Sequence, residues 1–212
     1  KDNAVTLINI TEVESGQRTI WSNVLIDPVN FREVIDLQKK SIVQLPYSTA
    51  ISLSARFPLV SPAGAIEWQK GKQLHYVDGG YYENKGALSI AEAVEAIKKF
   101  SKYKSKAEVY VIQFHFSEES EGEYKGIEFL NEPREILGAI MNVRSGHTNY
   151  SYEELFRVCN DYNGKLIPLS LPLSAHDVPM NWVLSKAALS RIEEVCNGIL
   201  KKEMYLQPLL QR

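Results

Sequence analysis

The run Val109 to Phe116, VYVIQFHF, carries apolar side chains at both odd and even positions. A strand of that kind cannot leave either face in water, so its sheet needs cover on both sides. Ala4 to Thr11 and Arg18 to Ile26 are rich in β-branched and apolar residues and flank the turn Glu14-Ser15-Gly16-Gln17, which predicts a hairpin. Phe31, Val34 and Ile35 fall at i, i+3, i+4, predicting a short helix after Pro28. A second helix is expected over Ser48 to Phe57, with Ser48 or Thr49 as N-cap and Pro58 as its end. Leu74 to Asp78 reads as a strand closed by Gly79 and Gly80. Ile90, Val94 and Ile97 then mark an amphipathic helix whose lysines (Lys98, Lys99, Lys102) form a solvated end suited to the dipole. Two further helices are expected over Pro133 to Val143 and Ser151 to Tyr162, the latter opening on a capping box of Ser151 and Glu154. Its Tyr152, Leu155, Phe156 and Cys159 form one stripe. Lys165 to Leu171 is a strand that Pro168 pushes toward a sheet edge. A last helix is expected over Trp182 to Lys201, burying Leu184, Ala188, Ile192, Val195 and Ile199. Strands alternating with helices predict an α/β fold, a layered sheet with helices on both faces, in one unit spanning the chain.

Charge excludes one class of function. The 24 basic and 26 acidic residues leave a formal net of −2, without the concentrated basic surface that nucleic acid requires. A lipid interface stays open. Cys159 and Cys196 are too few for a disulfide framework and read as reduced, buried thiols. No apolar run reaches the roughly 18 residues of a membrane span, and the opening residues lack a secretory pattern. A cytoplasmic or peripheral membrane location is therefore the expectation. In that setting the formal glycosylation acceptors at Asn9 and Asn149 carry no meaning.

The common catalytic and nucleotide-binding motifs are missing from the sequence. No G-x-S-x-G, P-loop, G-x-G-x-x-G or H-E-x-x-H occurs. His75, His115, His147 and His176 share no metal-ligand spacing, and the acidic loop Ser117 to Lys125 lacks a calcium pattern. Neither metal nor organic cofactor is expected. His115 reads as a packed core residue, Arg56 as a helix-end cation, and the adjacent His176 and Asp177 as loop. The run Tyr76-Val77-Asp78-Gly79-Gly80-Tyr81-Tyr82-Glu83-Asn84 stands out. An aspartate leaving a strand into two glycines presents its carboxylate at the strand's carboxyl end, where open α/β sheets bind ligands. The glycines allow a tight turn and close approach. Asp-Gly is also ordinary turn chemistry, and Asn84 is a natural turn stabiliser or a substrate contact.

The surroundings add to this. Ser48-Thr49-Ala50-Ile51-Ser52-Leu53-Ser54-Ala55-Arg56-Phe57-Pro58-Leu59-Val60-Ser61-Pro62, followed by VDGGYYENKGA from Val77, resembles the bacterial patatin-like phospholipase family. The segment Ile8 to Gly16 looks like that family's strand and turn ahead of this region, and Trp182 to Ser185 is a looser echo. The resemblance covers about Ile8 to Ala87 and implies the C-terminal part of the patatin-like fold. It also implies a serine–aspartate dyad acting on lipid acyl esters with water as acceptor. In such a dyad the aspartate takes the serine proton directly and a glycine-rich loop holds the oxyanion. Only the aspartate carries over, onto Asp78, with Gly79, Gly80 and Asn84 as turn support or substrate contacts.

The chain departs from the family at the nucleophile. The oxyanion loop and the serine elbow belong far upstream of the aspartate, and neither motif occurs before Asp78. The expectation is an N-terminal portion lying outside this chain, in the same polypeptide or a second one, and a chain inactive alone. Expected partners are a lipid or acyl-ester substrate, that missing portion and a membrane surface. Exposed sheet edges would also permit a homo-oligomer. Two alternatives stand beside this: a non-catalytic binding module of the same fold, and an unrelated α/β domain with an incidental turn.

Overall fold

Leu7–Glu12 and Arg18–Ser22 pair antiparallel as β1 and β2, with Leu7 opposite Ser22 and Thr11 opposite Arg18. The turn between them relies on Gly16, whose φ of 69° lies in the left-handed region. This is the expected hairpin. The computed structural model describes residues 4–56, 61–100, 108–116, 131–171 and 184–202, in two units. The first takes in residues up to 109 and 129–165; the second takes in 110–128 and 166–212.

In the first unit, Ile35–Asp36 (β3), Gly64–Gln69 (β4) and Lys72–Asp78 (β5) complete a five-stranded sheet in the order β3-β2-β1-β5-β4. Only β2 and β3 run parallel; the other neighbours are antiparallel, so the sheet is mixed. Two local expectations differ from the structure. The helix expected after Pro28 is absent: Glu33 adopts a φ of 54°, which a helix cannot hold, and Ile35 extends into β3. Asp36 instead caps the four-residue α1 (Leu37–Lys40), its carboxylate accepting from the Gln38 and Lys39 amides. The next helix, α2 (Tyr47–Ser54), starts one residue early, behind Pro46 and without a side-chain cap.

Alternation along β1 decides which helix covers which face. Ile10, Trp21 and Tyr76, flanked by Ile8, Ile66 and Leu74, pack against Leu37 of α1, Leu45, and Ala50 and Leu53 of α2. The Trp21 Nε1 donates to the Leu45 carbonyl at 3.0 Å, satisfying the indole inside this core. The opposite face presents Asn9 and Arg18 to α3 (Ala87–Lys99). There Arg18 donates to Ser89 at 3.1 Å and pairs with Glu92, while Ser89 donates to Asn9 Oδ1 at 2.7 Å. Helices thus lie on both faces of this sheet, one held by apolar packing and the other by a buried polar network.

Helix α3 packs along α4, a single helix over Asn131–Asp161 where two were expected. Ser151 therefore lies inside a helix and starts none, and Glu154 pairs with Arg157. The intervening Gly146 does not take positive φ, and the Thr148 hydroxyl donates back to the Arg144 carbonyl at 2.9 Å. Leu155, Val158 and Cys159 are buried, as the stripe predicts for Leu155 and Cys159, while Phe156 is exposed. At the end of α3, Lys98 is buried, not solvated, whereas Lys99 pairs with Glu95.

The second unit contains Tyr110–Phe116 (β6) paired with β7, the strand Lys165–Leu171, and α5 (Lys186–Lys202). Helix α5 begins later than Trp182, with the Ser185 hydroxyl accepting from the Ala188 amide at 3.1 Å. Val111 is buried, but Phe114 on the other face of β6 is 63 % exposed, so the described residues do not cover this strand on both sides. Cys159 and Cys196 are free thiols, the first buried and the second partly so. No helix among the described residues is long and apolar enough to cross a membrane.

Candidate functional site

Asp78 ends β5, opposite Ile10 of β1. Its backbone is fixed from two sides: the amide donates to the Arg56 carbonyl at 3.2 Å, and the carbonyl accepts from Thr11 Oγ1 at 3.0 Å. Gly79–Tyr81 then form one 3₁₀ turn, and Asp78 Oδ1 accepts from the Gly80 amide at 2.6 Å. The acid therefore does what an aspartate before two glycines does locally, capping its own turn. No described residue donates to its second oxygen.

The glycines are required by close neighbours. A Cβ on Gly79 would stand 2.4 Å from the Asn9 carbonyl oxygen, and one on Gly80 would stand 2.8 Å from Asn84 Oδ1 and 2.9 Å from Asp78 Oδ1. Gly79 meets fixed backbone and is closed to a side chain, whereas at Gly80 the side-chain ends of Asn84 and Asp78 would have to move aside.

Because β5 stops at Asp78 while β1 begins at Leu7, the first residues of β1 project beyond their neighbour. The gap is a cleft of about 350 Å³ whose walls include Leu7, Ile8, Asn9, Ser54, Asp78, Gly80, Glu83 and Asn84. The acid thus lines a crevice while capping the turn. The rule that places ligands at strand carboxyl ends belongs to parallel sheets, and β5 has antiparallel neighbours. Here the cleft comes from unequal strand lengths.

Burial pushes the Asp78 carboxyl up from its ordinary range, opposed by the Gly80 amide and by the positive charge of Arg144. Tyr81 is likewise raised, by burial and then by the Asp78 charge. Glu83, 5 % exposed, is raised by burial although the amides of Lys85, Leu88 and Ala87 oppose the shift. Those amides show its role: Gly86 gives α3 no side-chain cap, and the Glu83 carboxylate supplies one. The Ser54 hydroxyl, though in the cleft wall, donates to the Asn9 carbonyl at 2.7 Å.

Asn84 is held by α4. Its amide donates to Thr148 Oγ1 at 3.0 Å, and its Oδ1 accepts from Arg144 Nη2 at 2.6 Å. His147 packs edge-on against Tyr82, with ring centroids 5.4 Å apart. Of the four residues singled out from sequence, Asp78, Gly79, Gly80 and Asn84 all line the cleft. Glu83, Ser54, Asn9, Arg144 and Thr148 were not anticipated. Arg56 is a helix-end cation whose guanidinium donates to the Pro62 carbonyl at 2.7 Å. His75 is paired with Glu14 at 2.7 Å. Phe57 to Val60, the Ser117 to Lys125 loop, His176, Asp177, Trp182 and the His115 side chain lie outside the described residues.

A larger hollow of about 800 Å³ lies between residues 21–25 and 41–47, away from Asp78. Its serine hydroxyls and its acid are engaged locally. Ser22 accepts from the Val24 amide, Ser41 donates to the Val43 carbonyl, and Asp36 caps α1. Its size exceeds that of the smaller cleft, but its one carboxylate, Asp36, is engaged in capping α1. Among the described residues no three His, Cys, Asp or Glu side chains gather to hold a metal ion. No protein-family model matches the chain, and no similar curated protein or solved structure was found.

Proposed function

We propose that the chain is the aspartate-bearing portion of a serine–aspartate acyl-ester hydrolase acting on lipids. Asp78 is the base, and the serine and oxyanion donors come from residues outside this chain. The observation that carries the reading is the Asp78 carboxylate lining an open cleft with one oxygen fixed by the Gly80 amide. Its other oxygen is left to receive a hydroxyl proton. Partial burial raises the affinity of that carboxylate for a proton and so makes it a better base than a free one.

In this reading Asp78 takes the serine proton as the hydroxyl attacks the acyl carbonyl. It returns the proton to the leaving alcohol, then activates the water that releases the fatty acid. Backbone donors on the missing segment stabilise the oxyanion. Asn84 holds the turn. The partners are the lipid or acyl ester, met in solution or at a membrane surface, and the segment that bears the serine.

One observation favours a second reading. The hydroxyl in the cleft wall, Ser54, is committed to the Asn9 carbonyl. A non-catalytic binding module that kept the fold but lost the nucleophile would look the same. Expression of the complete open reading frame separates the two. A frame holding a glycine-rich loop and G-x-S-x-G is expected, with p-nitrophenyl ester hydrolysis that falls by roughly 10²–10⁴-fold in Asp78→Asn. The 212-residue chain alone is expected to be silent. A complete frame without a serine elbow, or hydrolysis by this chain alone that Asp78→Asn abolishes, overturns the proposal.

A further inference from the structure

We propose that Arg144, standing over Gly80 from α4, is a positioning residue that favours the ionised form of the Asp78 carboxylate, its charge held in place by Asn84. Three polar atoms converge on the space above the Gly80 α-carbon. Measured from where a Cβ would stand, Asn84 Oδ1 is at 2.8 Å, Asp78 Oδ1 at 2.9 Å and Arg144 Nη2 at 3.2 Å. A cation, an amide oxygen and a carboxylate oxygen thus share one small volume beside Gly80.

The cation is held there from its own helix. Arg144 and Thr148 stand one turn apart on α4, on one face of the helix. Between them they hold the side chain and the backbone of Asn84: Nη2 donates to Oδ1 at 2.6 Å, and Thr148 Oγ1 accepts from the Asn84 backbone N–H at 3.0 Å. Thr148 in turn donates to the Arg144 carbonyl at 2.9 Å, closing the loop. The bond to Asn84 holds the guanidinium on the same side of Gly80 as Asp78 Oδ1.

The other groups around Asp78 do not supply this charge. Tyr81 from the 3₁₀ turn is a neutral phenol, and Glu83 in the same cleft is an acid turned onto the α3 amides. From the end of α2, Arg56 offers its carbonyl while its guanidinium goes to Pro62; from β1 come the Thr11 hydroxyl and the Asn9 backbone. Burial acts to neutralise Asp78, and among the described residues Arg144 is the cation that acts against it. A base must be ionised to accept a proton, so this device matters to any chemistry at the cleft. It goes beyond the hydrolase reading and is tested without a substrate.

The experiment is a carbon-13 carboxyl titration of Asp78 in this chain, in the wild type, Arg144→Gln and Arg144→Lys. The Asp78 midpoint is expected to rise in Arg144→Gln, which can still donate to Asn84, and to return toward wild type in Arg144→Lys, which keeps the charge. A purely structural brace would lower the melting temperature of both variants and leave the midpoint where it was. An unchanged midpoint in Arg144→Gln, or an equal rise in both variants, overturns the proposal. Should Arg144→Gln not fold, the wild type decides: the Arg144 guanidinium nitrogen shifts are expected to inflect at the Asp78 midpoint, and a flat response overturns it. A complete protein without esterase activity would leave this result standing, and a flat titration would leave the hydrolase reading standing.

Discussion

The Asp78 carboxylate is pulled two ways, and the balance has a consequence for stability. Burial raises its folded-state pKa above that of the unfolded chain, the Gly80 amide and Arg144 only partly opposing it. For an acid raised on folding, the native state binds its proton more tightly than the unfolded state does. Its contribution to stability is therefore full below the unfolded pKa and is lost as pH rises through the folded one. Asp78→Asn removes the ionisable group while keeping an oxygen for the Gly80 amide. It is expected to melt higher than wild type at pH 7, with the gain fading below about pH 3.9, the unperturbed aspartate value. Thermal melts of both proteins at neutral and acidic pH check this, and a lower melting temperature for Asp78→Asn at pH 7 would refute it. At this scale the sequence was informative wherever one residue type meets one backbone demand. Asp78, Gly79 and Gly80 carry their turn in their own covalent structure, so their place is legible without neighbours. Arg144 was not legible. An arginine in a helix has no local signature for what its guanidinium meets, and Asn84 lies 60 positions away.

Among the elements, the hairpin of β1 and β2, the strand β5 and the helix α3 follow from short-range patterns, because period 2 and period 3.6 are read within one segment. The continuous α4 did not follow. Gly146 and Asn149 look like punctuation, and Ser151 with Glu154 looks like a start, yet the helix runs through them. Packing along α3 and the anchoring of Asn84 outweigh those weak local preferences. The continuity predicts a gain from Gly146→Ala. A Cβ there meets nothing within 4 Å, and alanine is favoured over glycine inside a helix by about 0.8–1.0 kcal/mol. Urea denaturation of the chain is expected to show a stabilisation of about that size. No gain would mean that the segment is not helical in solution. The strand β4 was missed for the opposite reason. Gly64 begins it and a Lys70-Gly71 turn follows, so its six residues carry little apolar alternation, and it forms because β5 offers it a partner. Its glycine is used: a Cβ on Gly64 would stand 2.2 Å from Leu53 of α2.

Across the first unit, the two faces of the sheet are held by different physics. Ile10, Trp21 and Tyr76 bury apolar area against α1 and α2, whereas Arg18, Ser89, Asn9 and Glu92 join α3 to β1 and β2. The Arg18 side chain is only 3 % exposed, so its charge depends on Glu92. Removing one partner of a buried pair leaves the other uncompensated, which costs about 3–5 kcal/mol. Glu92→Ala is expected to lose stability on that scale in urea denaturation. A loss under about 1 kcal/mol, the size of a surface pair, would show that the network is not buried in solution. The sequence by itself determined that strands and helices combine in one α/β chain, that an acid leaves a strand through two glycines, and that an asparagine follows within reach. Those features are set by side-chain period and by the few residues that tolerate a tight turn. Only the tertiary structure decided that the sheet is mixed, that unequal strands open a cleft beside Asp78, and that α4 brings a cation to it. Such features depend on which distant segments meet, and the energy of that meeting belongs to pairs of surfaces that no single stretch of chain contains.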